Sequence, residues 1–234
     1  MRKPLLFFVL LMGVISLKAQ RVLDYSSSND HSAPFFIGVH VGTQGFGLHL
    51  TYKQNDFFAY RLSVSDAPVG FNNARSWGSQ AYNLHMKARY MNVAAQFEFR
   101  PFNRLDHPDF TQKLVAVAGI AYFFKAQADV RATPKNAYYY GDIPISPENQ
   151  GTISGTAKWK PVAPYLGIGL RAMKVAPKLF MNIDLGTYYL SSPDVSMSAN
   201  KLLEGNTSNE ATIQQNLKNY HWLPVVQAGL SYRF

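Results

Sequence analysis

Apolar residues fall at every second position in stretch after stretch of this chain, and that alternation restricts its fold more than any other feature. Phe35, Ile37, Val39 and Val41 lie on one face of an extended segment, with Gly38, His40 and Gly42 on the other. After Gly45 the pattern resumes, with Phe46, Leu48, Leu50 and Tyr52 opposite Gly47, His49 and Thr51. Phe58, Tyr60, Leu62 and Val64 oppose Arg61 and Ser63; Met91, Val93, Ala95, Phe97 and Phe99 oppose Asn92, Gln96, Glu98 and Arg100. Successive strand residues point to opposite faces, so each stretch is a strand with one apolar face and one polar or small face. Beyond the amino-terminal segment, no window holds the roughly 18 consecutive apolar residues of a membrane-spanning helix. Any crossing made by this part of the chain is made by strands.

A fifth strand, about residues 113–125, is apolar on both faces, and Ile120 and Tyr122 are assigned outward. A sixth sets Pro164, Leu166, Ile168 and Leu170 against Tyr165, Gly167, Gly169 and Arg171. A seventh sets Ile183, Leu185 and Tyr189 against Asn182, Asp184 and Gly186, and an eighth ends the chain. Eight tilted strands of about ten residues make a small closed barrel. Closure pairs every backbone donor and acceptor, as hydrocarbon demands. The expected fold is all-β, an eight-stranded antiparallel up-and-down transmembrane β-barrel. With both termini periplasmic, the turns are residues 54–56, 101–112 and 173–177, and the external connections are 43–45, 65–86, 126–159 and 191–219. The last is expected to carry a short helix, because Thr207 and Glu210 have capping-box spacing and Ile213 and Leu217 are four apart.

Both ends of the sequence agree with this address. Gln227, Gly229, Tyr232 and Phe234 give a polar, glycine and double-aromatic spacing that resembles the signal read by barrel-assembly machinery, an expected partner during insertion. Arg2 and Lys3 precede an apolar run from Leu5 to Leu17, then Ala19-Gln20, so residues 1–19 read as a secretory signal peptide and 20–234 as one barrel domain. The expected location is the outer membrane. Loss of Arg2, Lys3 and Lys18 lowers the formal charge from +9 to about +6. The remaining cations are scattered over strand ends and loops, not grouped as a nucleic-acid-binding face would require. Besides the bilayer, the fitting anionic neighbour is lipopolysaccharide phosphate. With no cysteine, the chain has no disulfide, zinc-thiolate site or cysteine nucleophile.

Several segments in order resemble a known family. They are residues 42–48 (GTQGFGL), Phe99-Arg100-Pro101-Phe102, 164–169 (PYLGIG), 184–189 (DLGTYY), Ser192-Pro193-Asp194-Val195 and the end from Leu223 to Phe234. Together they are similar to the eight-stranded outer-membrane barrels of unassigned function in Gram-negative bacteria, small barrels of the OmpA/OmpX type. The Tyr138-Tyr139-Tyr140 cluster and the more cationic external loops depart from that pattern. The resemblance implies a fold and a location but no reaction.

The expected inward set is His40, His49, Arg61, Asn92, Gln96, Glu98, Arg100, Asp184, Gln227 and Arg233. Charges inside a narrow barrel must be paired, so Arg61, Gln96, Glu98, Arg100, Asp184 and Arg233 are expected to form a polar lumen network, with Glu98 and Asp184 neutralising arginines. The expected role is structural or surface-interacting, for a single chain acting as a monomer and without a cofactor. One alternative is a narrow porin-like pore for small solutes. The other is a lipid-modifying enzyme, for which His85 or His221 would have to reach Ser191, Ser192, Asp194 or Ser196; no spacing selects such a set. Asp106, His107 and Asp109 read as turn punctuation around Pro108, and no metal is expected. Lys135, Tyr138, Tyr139 and Tyr140 are candidates for external contact, although tyrosines also populate the aromatic girdle at a membrane boundary, the favoured reading here.

Overall fold

The computed structural model describes residues 34–77, 80–102 and 110–234. The segment read as a signal peptide and the Asp106 to Asp109 turn lie outside these. Twelve strands are formed by the described residues: β1 Phe35–Gly42, β2 Gly45–Lys53, β3 Phe58–Trp77, β4 Gln80–Phe99, β5 Leu114–Pro134, β6 Tyr138–Tyr140, β7 Ile143–Ile145, β8 Ile153–Lys158, β9 Val162–Ala176, β10 Leu179–Tyr189, β11 Asp194–Ala199 and β12 Trp222–Arg233. Eight of them, β1 to β5 with β9, β10 and β12, close a ring through antiparallel pairs, ending with β12 on β1 and β5 on β9. The expected eight-stranded barrel is the fold.

Its lipid-facing side carries the apolar half of each alternation. Ile37, Val39, Leu48, Val64, Leu166 and Ile168 are all exposed, as hydrocarbon contact requires. Ile120 and Tyr122 are outward too, while Val117, Ala121 and Phe123 are buried inside. Aromatic rings mark both boundaries of this belt. Phe58 stacks on Phe97 and Phe99 at 5.3 and 5.4 Å on one side, and Tyr122–Phe124 and Tyr189–Trp222 pair at 5.3 and 5.0 Å on the other.

Above the belt the structure departs from expectation. The connections 65–86 and 126–159 are largely strand: β3 and β4 pair from Phe58↔Phe99 to Trp77↔Gln80, and β4 follows β5 up to Tyr82↔Pro134. β2 leaves β3 at Phe46↔Asp66, so β3 continues from Ala67 without it, on the order of 30 Å at the usual rise per residue. β8 and β11 add to β5, giving a five-stranded sheet β3-β4-β5-β8-β11 that stands beyond the belt.

The same strands exchange their faces at that level. In β3, Arg61, Ser63 and Ser65 point inward below Asp66, but Ala67, Val69 and Phe71 do so above it. Opposite them on the inner side are Tyr90, Ala88 and Met86, then Ala126, Ala128 and Val130, while Arg89, Lys87 and His85 face out. A bulge at Phe124, between the pairs Asn92↔Phe123 and Met91↔Lys125, resets the phase of β5. Hydrocarbon outside forces apolar residues outward; water outside reverses the choice.

The helix of the last connection is present, a 3-10 segment Lys201–Asn209 running into α1, Glu210–Leu217. Its capping box is not. Glu210 instead accepts a hydrogen bond from Met197 N at 2.8 Å, and Gln214 accepts from Val195 N at 2.7 Å and donates to Pro193 O at 2.7 Å. These side chains satisfy the outer edge of β11, which would otherwise present unpaired donors. Tyr138, Tyr139 and Tyr140 form β6, paired only with β7 in a separate hairpin beyond Pro134. They are not part of the girdle, which lies at the level of Phe124, about ten residues lower along β5.

The cysteine-free chain makes the orientation easy to check. In intact cells, Asn72→Cys and Ser196→Cys are expected to react with a membrane-impermeant maleimide, whereas Asn55→Cys, in the short β2–β3 turn, reacts only after the outer membrane is opened.

Candidate functional site

The barrel interior holds the one dense constellation of charged groups among the described residues. Strand parity brings Arg61 from β3, Glu98 from β4, Arg171 from β9 and Asp184 from β10 to one height. Arg61 Nη2 lies 3.1 Å from Glu98 Oε1, and its Nη1 donates to Asp184 Oδ2 at 3.1 Å. Arg171 Nε donates to Glu98 Oε1 at 2.9 Å and its Nη2 to Asp184 Oδ1. Each guanidinium therefore bridges both carboxylates in a closed ring of alternating charge. All four are buried, Glu98 at 0 % exposure. Such charges are tolerated only when every one is matched. Thr51 Oγ1 accepts from Arg61 Nε at 3.2 Å, Ile183 O accepts from Arg171 Nη1 at 3.1 Å, and Gln227 Nε2 donates to Asp184 at 3.2 Å.

Of the six residues expected in the network, the structure brings Arg61, Glu98 and Asp184 together. Arg100 sits at the lower rim with Nη2 3.8 Å from Glu98 Oε2. Gln96 is buried in the lumen wall, its Cγ over Gly119 where a Cβ would intrude. Arg233 does not join: its guanidinium lies 6.0 Å from the Phe36 ring, and no ion pair holds it among the described residues. The position expected for it is taken by Arg171, which strand parity had already placed on the polar face beside Tyr165, Gly167 and Gly169. A bulge fixes Arg171 there. Arg171 and Ala172, the latter at φ 56°, together oppose the single Asn182.

Beside the ring runs a hydrogen-bonded chain. His40 Nε2 pairs with Ser65 Oγ at 2.9 Å, the two histidine Nδ1 atoms are 3.4 Å apart, and His49 Nε2 pairs with Ser231 Oγ at 2.8 Å. Asn182 Nδ2 donates to the same Ser231 Oγ at 2.5 Å. One neutral arrangement satisfies every link: Ser231 donates to His49, His49 Nδ1–H to His40, and His40 Nε2–H to Ser65. Gly38 and Gly47 are required opposite these rings, since a Cβ on either would collide with the imidazole across from it.

Toward the end of the barrel from which the sheet rises, the lumen turns apolar on its β5, β9 and β10 side, which alternation alone did not predict. Phe123, Tyr165, Tyr188, Leu190 and Val225 are buried in one cluster with Ala94 and Ala163. Tyr188 meets Phe123 edge-on at 5.4 Å and Tyr165 at 4.9 Å. Gly167 and Gly186 make room for the Tyr165 ring. Two layers of buried side chains, one ionic and one aromatic, thus lie one above the other in the barrel interior, as expected where eight strands leave space only for side chains.

The carboxyl-terminal residues divide by face. Gln227 and Gly229 are inward, where Gly229 lies against His40; Tyr232 and Phe234 are outward with rings 5.5 Å apart. The histidines weighed for catalysis have other contacts. His221 stacks on Tyr189 and bonds Leu190 O at 3.2 Å, and His85 bonds Asn72. Ser191 Oγ accepts from Lys160 N, and Ser192 Oγ donates to Lys218 O. Among the described residues no hydrogen bond joins either histidine to these serines.

Solved structures share this architecture. The chain is similar to CarO2 of Acinetobacter baumannii at 22% identity and TM-score 0.62, over 88% of this chain and 100% of that one. CarO of the same organism matches at 25% identity and TM-score 0.60, over 86% and 98%. A closed barrel with an apolar belt between two aromatic girdles and a polar interior is the outer-membrane solution to spanning a bilayer with strands. This protein is an outer-membrane β-barrel. No family model matches the chain, and neither does any curated protein.

Proposed function

We propose that the barrel is a plugged anchor and that the protein acts through the sheet it raises outside the cell, as a surface-interaction platform. The exchange of faces above Asp66 carries this reading. A mere tether needs no ordered five-stranded sheet in water, still less one with an apolar inner face. Val69, Phe71 and Met86 on that face are 55%, 56% and 43% exposed, contiguous across the Phe71↔Met86 pair. Exposed apolar surface above the membrane marks a contact site. The other end of the sheet is treated differently, since α1 covers the β11 edge.

A narrow pore for small solutes would have to pass both layers of buried side chains. Single-channel recording of the refolded protein in a planar bilayer is expected to be silent for wild type. Discrete steps altered by Glu98→Ala would overturn the plugged reading. The platform itself is tested by adhesion of whole cells to hexadecane droplets: Val69→Asp with Phe71→Asp is expected to lower it, at equal surface abundance, and unchanged adhesion would count against the inner face as a contact surface.

A further inference from the structure

The wall formed by β12, β1, β2 and β3 is not evenly convex toward lipid. Val39, Val41, Phe46, Leu48, Ala228 and Leu230 line a groove of about 880 Å³ that runs up to Asp66. Ala228, flanked by larger outward residues, forms part of its floor. At the upper end the chemistry changes within one residue step. Asp66 holds Arg89 in a fork, accepting from Nε at 3.1 Å and Nη2 at 2.8 Å, which leaves Nη1 outside the pair. Lys87, Arg89 and Lys125 line a second, shallow recess immediately above, floored by Gly70 and Pro68. The other carboxylate there, Asp129, accepts from Gln127 at 2.8 and 3.0 Å and from Thr156 at 2.8 Å. Lys87 and Lys125 have no ion-pair partner among the described residues.

An apolar groove in the outer leaflet that ends at a guanidinium held by Asp66 and at two ammonium groups outside any ion pair has the complementarity of an acylated phosphate. We infer that this wall docks the lipid A part of lipopolysaccharide. Acyl chains lie in the groove, and a phosphate monoester is held by Arg89 Nη1 and Lys125, with Lys87 above. Arginine suits this position because its fork can serve Asp66 and a phosphate together. The site is separate from the inner face of the raised sheet, so either can fail without the other.

Native mass spectrometry of the detergent-released protein tests it, with bisphosphorylated hexa-acyl lipid A, phosphatidylglycerol and inorganic phosphate as probes. Wild type is expected to retain lipid A in preference to phosphatidylglycerol, and excess inorganic phosphate is expected not to displace it. Arg89→Gln with Lys125→Gln should retain lipid A about 30-fold less well, at the usual contribution of each cation near a membrane surface. Ala228→Phe, which fills the groove and leaves the cations untouched, should also weaken retention; heat-modifiable migration confirms that each variant is folded. Equal retention by the variants would overturn the inference. Retention of phosphatidylglycerol as strong as that of lipid A would do the same, as would displacement by inorganic phosphate.

Discussion

Glu98→Gln is expected to destabilise the barrel by about 3–5 kcal/mol, the range for removing one partner from a buried ion pair. The ring explains why the cost should be this high. Glu98 Oε1 is shared by Arg61 and Arg171, so loss of its charge leaves two guanidiniums facing the single carboxylate of Asp184. Their geometry cannot relax into water, because all three residues are buried between the strands. A midpoint shift in urea unfolding, followed by heat-modifiable gel migration, would measure the loss. The paired change Glu98→Leu with Arg171→Met is expected to be milder than Glu98→Gln alone, since removing one cation with one anion restores the balance. Arg233→Ala, outside the ring, is expected to cost under about 1 kcal/mol. A Glu98→Gln protein as stable as wild type would show that the ring does not hold the barrel together.

The belt strands were legible because hydrocarbon imposes a strict rule on them: every second residue from Phe35 to Val41, or from Phe97 back to Met91, must be apolar. Above Asp66 the rule is reversed, and local composition misleads. Pro68, Gly70, Asn72 and Asn73 have turn chemistry, yet they lie in a strand whose partner, β4, supplies the pairing. The reversal itself is visible in the alternation of Ala67, Val69 and Phe71 with Pro68, Gly70 and Asn72, once water is taken as the outer solvent. The lumen was half legible. Parity placed Arg61, Glu98 and Asp184 inside and put Arg171 on the polar face of its strand, yet the expected network took Arg233 and left Arg171 out; several arginines satisfied the parity condition, and only height along the strands separates Arg171 from Arg233. The aromatic layer was not legible: parity put Tyr165 on the inner face but gave it no partner, Tyr188 on an inward position breaks the polar-inside pattern, and their packing against Phe123 becomes apparent only when three strands are brought together.

That aromatic layer leads to the second large effect. Tyr188→Ala is expected to cost about 3–5 kcal/mol, the usual loss when a buried aromatic is truncated. The ring is 4% exposed, touches Phe123 and Tyr165 at the distances of favourable aromatic pairs, and stands on a strand whose backbone is fixed by β9 and β12. Neighbours locked in a closed wall cannot collapse into the space it leaves, which puts the cost toward the upper part of that range. Tyr188→Phe keeps the ring and should be far milder. Tyr139→Ala, the same deletion at a 65% exposed position in the β6–β7 hairpin, should fall within about 0.5 kcal/mol of wild type. Unfolding midpoints of the three variants check the order. Planar-bilayer recording adds a separate readout: Tyr188→Ala should remain silent, because the Arg61, Glu98, Arg171 and Asp184 ring still closes the lumen beneath it. Conductance appearing in Tyr188→Ala alone would mean that the aromatic layer is the sole barrier and that the ionic ring is permeable.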